Sequence, residues 1–257
     1  MLECPPIAMM KIICMIPARY ESSRFKGKPL SDICGKPMIQ HVYERVLKSD
    51  TVSYAAVATD DERISAAVTK FGGNVIMTSS EHRSGTDRIA EAVSAVDGVE
   101  DSDVIVNIQG DQPIFEPSQI DEVSGPLLMD RSIDMCTLIY GIKREEEITH
   151  PNAVKVVFDR DNFALYFSRA AIPYVRGSNT KVSYYKHHGI YAYRKSFLAT
   201  FTGLEEGYLE KLEALEQLRA MEHGYRIKVV ETDHDSVEVD TLEELERVRK
   251  IVARGRN

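Results

Sequence analysis

Four short polar clusters carry most of the chemistry open to this sequence, and each follows an apolar run. The first, Pro17 to Leu30, begins Pro17-Ala18-Arg19 and sets Arg19, Arg24, Lys26 and Lys28 against one acid, Glu21. It holds neither the G-x-x-x-x-G-K-[ST] phosphate loop nor the G-x-G-x-x-G dinucleotide fingerprint, so side-chain cations must do what a glycine nest does elsewhere. Arginine forks and lysine point charges suit a triphosphate tail. The second cluster is Ser84-Gly85-Thr86-Asp87-Arg88. It reads either as a plain helix cap or as a loop whose backbone comes close to a planar base at Gly85. The third is Gln109-Gly110-Asp111 and the fourth runs from His234 to Asp240. Asp111 stands two residues beyond an apolar run, and Asp240 follows Val237-Glu238-Val239 in the same manner. Two carboxylates at neighbouring strand ends suit Mg²⁺, a hard ion held by one or two carboxylates plus phosphate oxygens. Taken singly, each aspartate is equally a helix cap.

The elements that must position these clusters alternate. Apolar runs at Lys11–Ile16, Ser53–Ala58, Asn74–Thr78, Val104–Ile108 and Met135–Ile142 read as strands. Helical spacing fills the gaps, including Met38–Leu47, Glu62–Phe71, a helix ending at Val96, and Pro117–Met129. Strand–helix alternation over the first 140 or so residues predicts a largely parallel, doubly wound α/β sheet. Such sheets place anionic ligands at the carboxyl ends of their strands. Beyond Pro151 the texture changes. Val154–Phe158 and Phe163–Phe167 make a hairpin, Ile172–Ser183 is a loop, and Tyr185–Tyr193 is another strand. Tyr208–His223, with Leu209, Leu212, Leu215, Leu218 and Met221 on one face, reads as one long helix that leaves Glu216 and Gln217 toward solvent. A strand at Ile227–Val230 and a helix capped by Thr241 with Glu244 return to the main sheet. The predicted division is 9–145 with 224–257 as a nucleotide-binding α/β domain, and 146–223 as a smaller α+β subdomain. His187 and His188 are consecutive on a strand, so their rings lie on opposite faces and only one enters a given site.

Composition narrows the classes. The 257 residues are 43% hydrophobic and 28% charged, with formal net charge −8, as in an ordinary globular protein. The acidic balance argues against nucleic acid as a partner, and no apolar run reaches membrane-spanning length. Met1–Ala8 lacks the basic start and apolar core of a signal peptide. Four cysteines without a C-x-x-C pair fit a reduced, cytoplasmic setting, with Cys14 and Cys136 as small core residues.

Several blocks in order resemble the 3-deoxy-manno-octulosonate (Kdo) cytidylyltransferases. They are Ile16-Pro17-Ala18-Arg19-Tyr20 through Gly27-Lys28-Pro29-Leu30, Ser84–Arg88, Gln109–Asp111, Pro151-Asn152-Ala153-Val154-Lys155 and Ala164-Leu165-Tyr166-Phe167-Ser168-Arg169. His187-His188-Gly189-Ile190-Tyr191, Leu215-Glu216-Gln217-Leu218-Arg219 and Val239-Asp240-Thr241 continue the match. The resemblance implies a Rossmann-like mixed sheet of the nucleotide-diphospho-sugar transferase type and transfer of CMP from CTP to the anomeric hydroxyl of Kdo. It implies that Pro17, Ala18, Arg19, Arg24 and Lys28 hold the nucleotide's triphosphate end, while Ser84, Gly85 and Arg88 read cytosine and ribose. Asp111 and Asp240 would bind Mg²⁺, and Gln109, Arg169, His187, Tyr191, Glu216 and Gln217 the acidic sugar. A homodimer formed through the second portion is also implied. The chain departs from the family pattern at Asp87 and Gln112, where Glu is frequent, at His188, where an apolar residue is usual, and in a short Val175–Tyr184 loop. The last two touch the sugar pocket and leave an 8-amino analogue of Kdo open. Rival readings are a nucleotidyltransferase for sialic acid or a sugar 1-phosphate, and a non-catalytic nucleotide sensor.

Overall fold

β1 (Ile12–Ala18) is buried along its whole length, because it is paired on both sides and covered on both faces. This computed structural model describes residues 10–21, 25–177 and 182–255. Met1–Ala8 and Arg24 therefore lie outside the described residues. After β1 come a 3₁₀ turn (Lys28–Leu30), a small hairpin of β2 (Asp32–Ile33) and β3 (Lys36–Pro37), α1 (Met38–Val46), β4 (Val52–Thr59), α2 (Glu62–Lys70) and β5 (Val75–Met77). Next are α3 (Gly85–Ser94), β6 (Val104–Asn107), α4 (Ser118–Met129) and β7 (Met135–Gly141). Then follow α5 (Glu146–Thr149), the β8 (Lys155–Phe158) and β9 (Ala164–Ser168) hairpin, β10 (Tyr185–Arg194) and α6 (Lys195–Thr202). The chain ends with α7 (Tyr208–Glu213), α8 (Gln217–Glu222), β11 (Lys228–Glu231) and α9 (Leu242–Arg254).

The central sheet has the order β11-β7-β10-β6-β1-β4-β5. β4 and β6 flank β1 in parallel and β11 runs parallel to β7, whereas β10 is antiparallel to both β6 and β7. The fold is thus a mixed α/β sheet that is mostly parallel. Alternation along β1 sorts the core. Cys14 and Ile16 pack with Val42, Val46, Ile120 and Val123 on one face, while Ile13 and Met15 pack with Ile89, Val93, Phe197 and Phe201 on the other. Burial pushes the thiols of Cys14 and Cys136 far up, consistent with inert core residues.

Three features depart from the sequence reading. β10, expected in the smaller unit, lies between two strands of the main sheet, and β8 pairs with its first residues. Segment 146–223 is therefore stitched into the sheet through β10. Second, Lys195–Thr202 is a helix, α6, where no element was expected. Third, the helix expected over Tyr208–His223 is two. Ala214 caps α7 in the left-handed region, at φ 50° and ψ 52°, and α8 starts at Gln217. The break turns Gln217 inward, where it is buried, and leaves Glu216 only half exposed. Both side chains thus point away from the solvent the leucine stripe assigned to them.

An L-residue in the left-handed region costs about 1–2 kcal/mol, part of which glycine recovers against its larger unfolded-state entropy. Ala214→Gly is expected to raise stability by about 0.5 kcal/mol, read as a higher urea midpoint at unchanged slope.

Candidate active site

The carboxyl ends of β1 and β6 open into one cleft, and its floor requires small residues. A Cβ on Gly110 would lie 2.8 Å from the Pro17 carbonyl oxygen, and one on Gly85 would lie 3.2 Å from Pro17 Cγ. These contacts bring the first three polar clusters together around a cavity of about 320 Å³ lined by Pro17, Ala18, Arg19, Lys28, Gly85, Gln109, Gly110 and Asp111. The second cluster is also a true helix cap. Ser84 Oγ accepts from the Asp87 N–H at 3.0 Å, and the Asp87 carboxylate accepts from the Ser84 N–H at 3.3 Å. Arg19 ties the first cluster to it, donating to the backbone carbonyls of His82, Arg83 and Ser84.

Asp240 reaches the same cleft by a route the sequence does not display. Val237–Val239 is not a strand. Val237 forms an isolated antiparallel bridge with Ile114, and the Val239 N–H donates to the Asp111 carbonyl at 3.0 Å. The capping box of α9 finishes the placement, since Glu244 accepts from the backbone N–H of Asp240 at 2.7 Å and of Thr241 at 2.9 Å. Lys28 Nζ then lies 2.7 Å from Asp111 Oδ2 and 3.1 Å from Asp240 Oδ1. Burial works against the Lys28 charge, but Asp111 and Asp240 outweigh it and hold the ammonium above its ordinary range. Two carboxylates facing one point also suit a hard divalent ion, which takes one or two carboxylates together with waters and phosphate oxygens. The donors are oxygen only. Among the described residues no group of three or more His, Cys, Asp or Glu side chains forms a metal site, so any ion here draws further ligands from a substrate.

The cytidylyltransferase family model matches residues 13–237. The chain belongs to that family. A 3-deoxy-manno-octulosonate cytidylyltransferase of Syntrophus aciditrophicus is 72% identical over 244 residues, covering 95% of this chain and 98% of that protein. An 8-amino-3,8-dideoxy-manno-octulosonate cytidylyltransferase of a Shewanella strain is 50% identical over 248 residues, covering 95% and 99%. Among solved structures, a CMP:2-keto-3-deoxy-manno-octonic acid synthetase complexed with CTP superposes with a TM-score of 0.89 at 44% identity, covering 95% of this chain and 99% of that one.

In this cytidylyltransferase the residues expected for the acidic sugar divide into two groups. His187 lines a recess of about 360 Å³ together with Glu238 and Asp240. Its ring packs against Phe167 and Tyr191, and Thr137 Oγ1 is 3.0 Å from its Nε2. Burial, above all, pushes His187 down to about 3, so the ring is neutral. Tyr191 is likewise shifted well up by burial and keeps its proton. Glu216 sits behind the second cluster in a wider recess with Ser84 and Asp87. Its Oε2 accepts from the Thr86 hydroxyl, and burial raises its carboxyl. Glu216 Oε1 and Gln217 Nε2 are buried without hydrogen-bond partners among the described residues.

Two expected residues are not brought to the cleft. Arg88 is fully buried on the sheet side of α3, donating to Thr78 Oγ1 at 2.6 Å and lying 3.1 Å from Asp60. Ser84 is the non-helical cap, whereas Arg88 lies within α3, whose buried residues include Ile89, Ala92 and Val93. Arg169 spends its guanidinium on the carbonyls of Glu213, Pro151 and Ala214 at 2.6, 3.0 and 3.2 Å. It fixes the turn that precedes Glu216.

Glu238 belongs to the site although the expected set omits it. Its Oε1 accepts from Gln112 Nε2 at 2.8 Å and would lie 3.4 Å from a Cβ on Gly189. The readable signal is alternation: in the extended run Val237-Glu238-Val239-Asp240, Glu238 and Asp240 share a face. Although the residue is open to the cleft, its carboxyl lies deep. Burial, then the charges of Asp111 and Asp240, raise it from 4.5 to about 7. A raised acid binds more protons folded than unfolded, so its contribution is present below 4.5 and lost as pH climbs toward about 7. Glu238→Gln is expected to match the parent's stability near pH 4.5 and exceed it increasingly toward pH 7; urea unfolding across that range checks it.

Proposed function

We propose that the chain transfers CMP from CTP to the anomeric hydroxyl of a Kdo-type acidic sugar, releasing pyrophosphate. The observation that carries the proposal is the Lys28 ammonium held between Asp111 and Asp240 beside the Arg19 cleft. The relatives named above support it. CTP carries about four negative charges at neutral pH and the sugar one more, so repulsion opposes their approach. Arg19 and Lys28 offset that charge at the triphosphate, with Arg24 assigned there by the family resemblance. Gly85 and Gly110 let the nucleotide lie close to backbone, and Ser84 presents the loop expected at cytosine and ribose.

Asp111 and Asp240 would hold Mg²⁺, which when bound polarises phosphate oxygens and favours an alkoxide-like sugar oxygen. The attacking hydroxyl must lie in line with the departing pyrophosphate, and orienting it falls to Gln109, His187 and Tyr191. As a neutral ring, His187 recognises hydroxyls by hydrogen bonding without adding charge. The buried and unpartnered polar atoms of Glu216 and Gln217 suit a polyhydroxy ligand, which would satisfy them. Arg169 serves the same sugar indirectly, through the turn at Ala214. No protein nucleophile is needed.

A homodimer and a cytoplasmic setting complete the proposal. Leu165, Tyr174, Tyr208 and Leu212 are exposed apolar side chains on segment 146–223, the portion assigned to dimerisation. Cys14 and Cys136 are buried free thiols, which fits a reducing compartment. Among the described residues no helix is long and apolar enough to cross a membrane. A monomeric mass by light scattering would remove the dimer.

Pyrophosphate release with CTP should be fast with Kdo or its 8-amino analogue, and at least about 100-fold slower with sialic acid or a sugar 1-phosphate. Nucleotide binding without pyrophosphate release from any of these sugars would favour the sensor.

A further inference from the structure

β10 carries two histidines in succession, and the site described so far uses one. His187 faces Phe167 and Tyr191. His188 faces the other way, buried and stacked on Tyr140 with ring centres 5.7 Å apart. Its Nε2 is 3.2 Å from Asp235 Oδ1, and its Nδ1 is 3.5 Å from Gln119 Nε2. The buried Gln119 amide has its orientation set from both ends. Its oxygen accepts from the Glu116 N–H at 2.9 Å, and its nitrogen donates to the His234 carbonyl at 3.2 Å. That nitrogen therefore faces His188 as a donor, so Nδ1 accepts and Nε2 directs its hydrogen at Asp235.

These contacts fall where the chain most needs them. Thr232 is the last residue held in register beside β7, through the Ile139 carbonyl at 2.9 Å. The His234 N–H donates to Thr232 Oγ1 at 3.2 Å, and the next backbone-to-backbone bonds are those of Val237 with Ile114 and Val239 with Asp111. Between them the segment is fixed by Gln119 on the His234 carbonyl and by His188 and Lys186 on the Asp235 carboxylate. Asp240, at the end of this segment, has no strand of its own to place it.

We propose that His188 is a positioning residue: acting through Asp235, with Gln119 as its partner, it fixes segment 233–240 so that Asp240 stands beside Asp111 and Lys28. The two histidines of β10 thus divide the work: both border the recess of about 360 Å³, but His187 packs on Phe167 and Tyr191 while His188 holds Asp235 and, through it, the segment that ends at Asp240. This rests on the proposed function only in taking Asp240 for a metal ligand.

The test follows hydrogen exchange of the unliganded full chain, and Mn²⁺ binding in the presence of CTP by electron paramagnetic resonance. The variants are His188→Leu, His188→Gln and Asp235→Ala. In His188→Leu the amides of Val237 and Val239 should exchange about tenfold faster while those of β1 keep their rate, and Mn²⁺ affinity should fall about tenfold. Turnover should return to within about twofold of the parent at saturating metal, so that the loss appears in the metal KM. His188→Gln, which keeps a donor, should recover most of the loss. Asp235 is partly exposed, so Asp235→Ala removes no core volume; it should reproduce the leucine phenotype and decides the matter if His188→Leu does not fold. A folded His188→Leu or Asp235→Ala protein with parental exchange at Val237 and Val239 and parental Mn²⁺ affinity would overturn the proposal. Pyrophosphate release by the parent chain tests the proposed function separately, and the exchange measurement keeps its meaning whatever sugar is used.

Discussion

The ammonium of Lys28 between Asp111 and Asp240 is the interaction on which the rest depends, because it joins charged side chains from three loops that are distant in the sequence. The two carboxylates lie 83 and 212 positions away from it in the chain. Two like charges about 4 Å apart repel by about 4 kcal/mol at an effective dielectric constant near 20, so the pair closes only around a cation. Lys28 supplies that cation from the first polar cluster. On the function proposed above, the same carboxylates would take a divalent charge arriving with a triphosphate. Glu238, raised first by burial and then by the charges of Asp111 and Asp240, sits in the same field.

What the sequence made legible is what local chemistry decides. The apolar run of β1 formed the strand expected of it, although the strand continues through Pro17 to Ala18 instead of stopping at the proline. The caps at Ser84 and Thr241 formed as their spacing dictated, and Asp111 lay close enough to β6 to stay at the sheet edge. The misses are non-local. Alanine is the best helix former, so nothing in the leucine stripe announces that Ala214 will leave the helix. Its left-handed turn is held by Arg169 and Glu213, far apart or unremarkable in sequence. β10 reads as a strand, but its insertion between β6 and β7 is a matter of pairing. Arg88 is turned from the cleft by long-range partners, Thr78 and Asp60, that its own motif does not reveal.

The broken helix gives the site its second half. A continuous helix over 208–223 would have turned Glu216 outward. The break presents it to Thr86, behind the loop that Arg19 also grips. The loop gripped by Arg19 and the helix start at Glu216 thus meet around the Ser84 cap. β10 does the equivalent for the two recesses flanking Asp240, with Gly189 narrow enough to let Glu238 and Gln112 meet.

The central claim is that Asp111 and Asp240 act on one shared cation and so act as a unit. A double-mutant cycle on turnover, with Asp111→Asn, Asp240→Asn and the pair together, tests it most directly. Either single change should cost about 100-fold or more, and the double variant little beyond the worse single. Losses that multiply, as for two independent sites, would contradict the account.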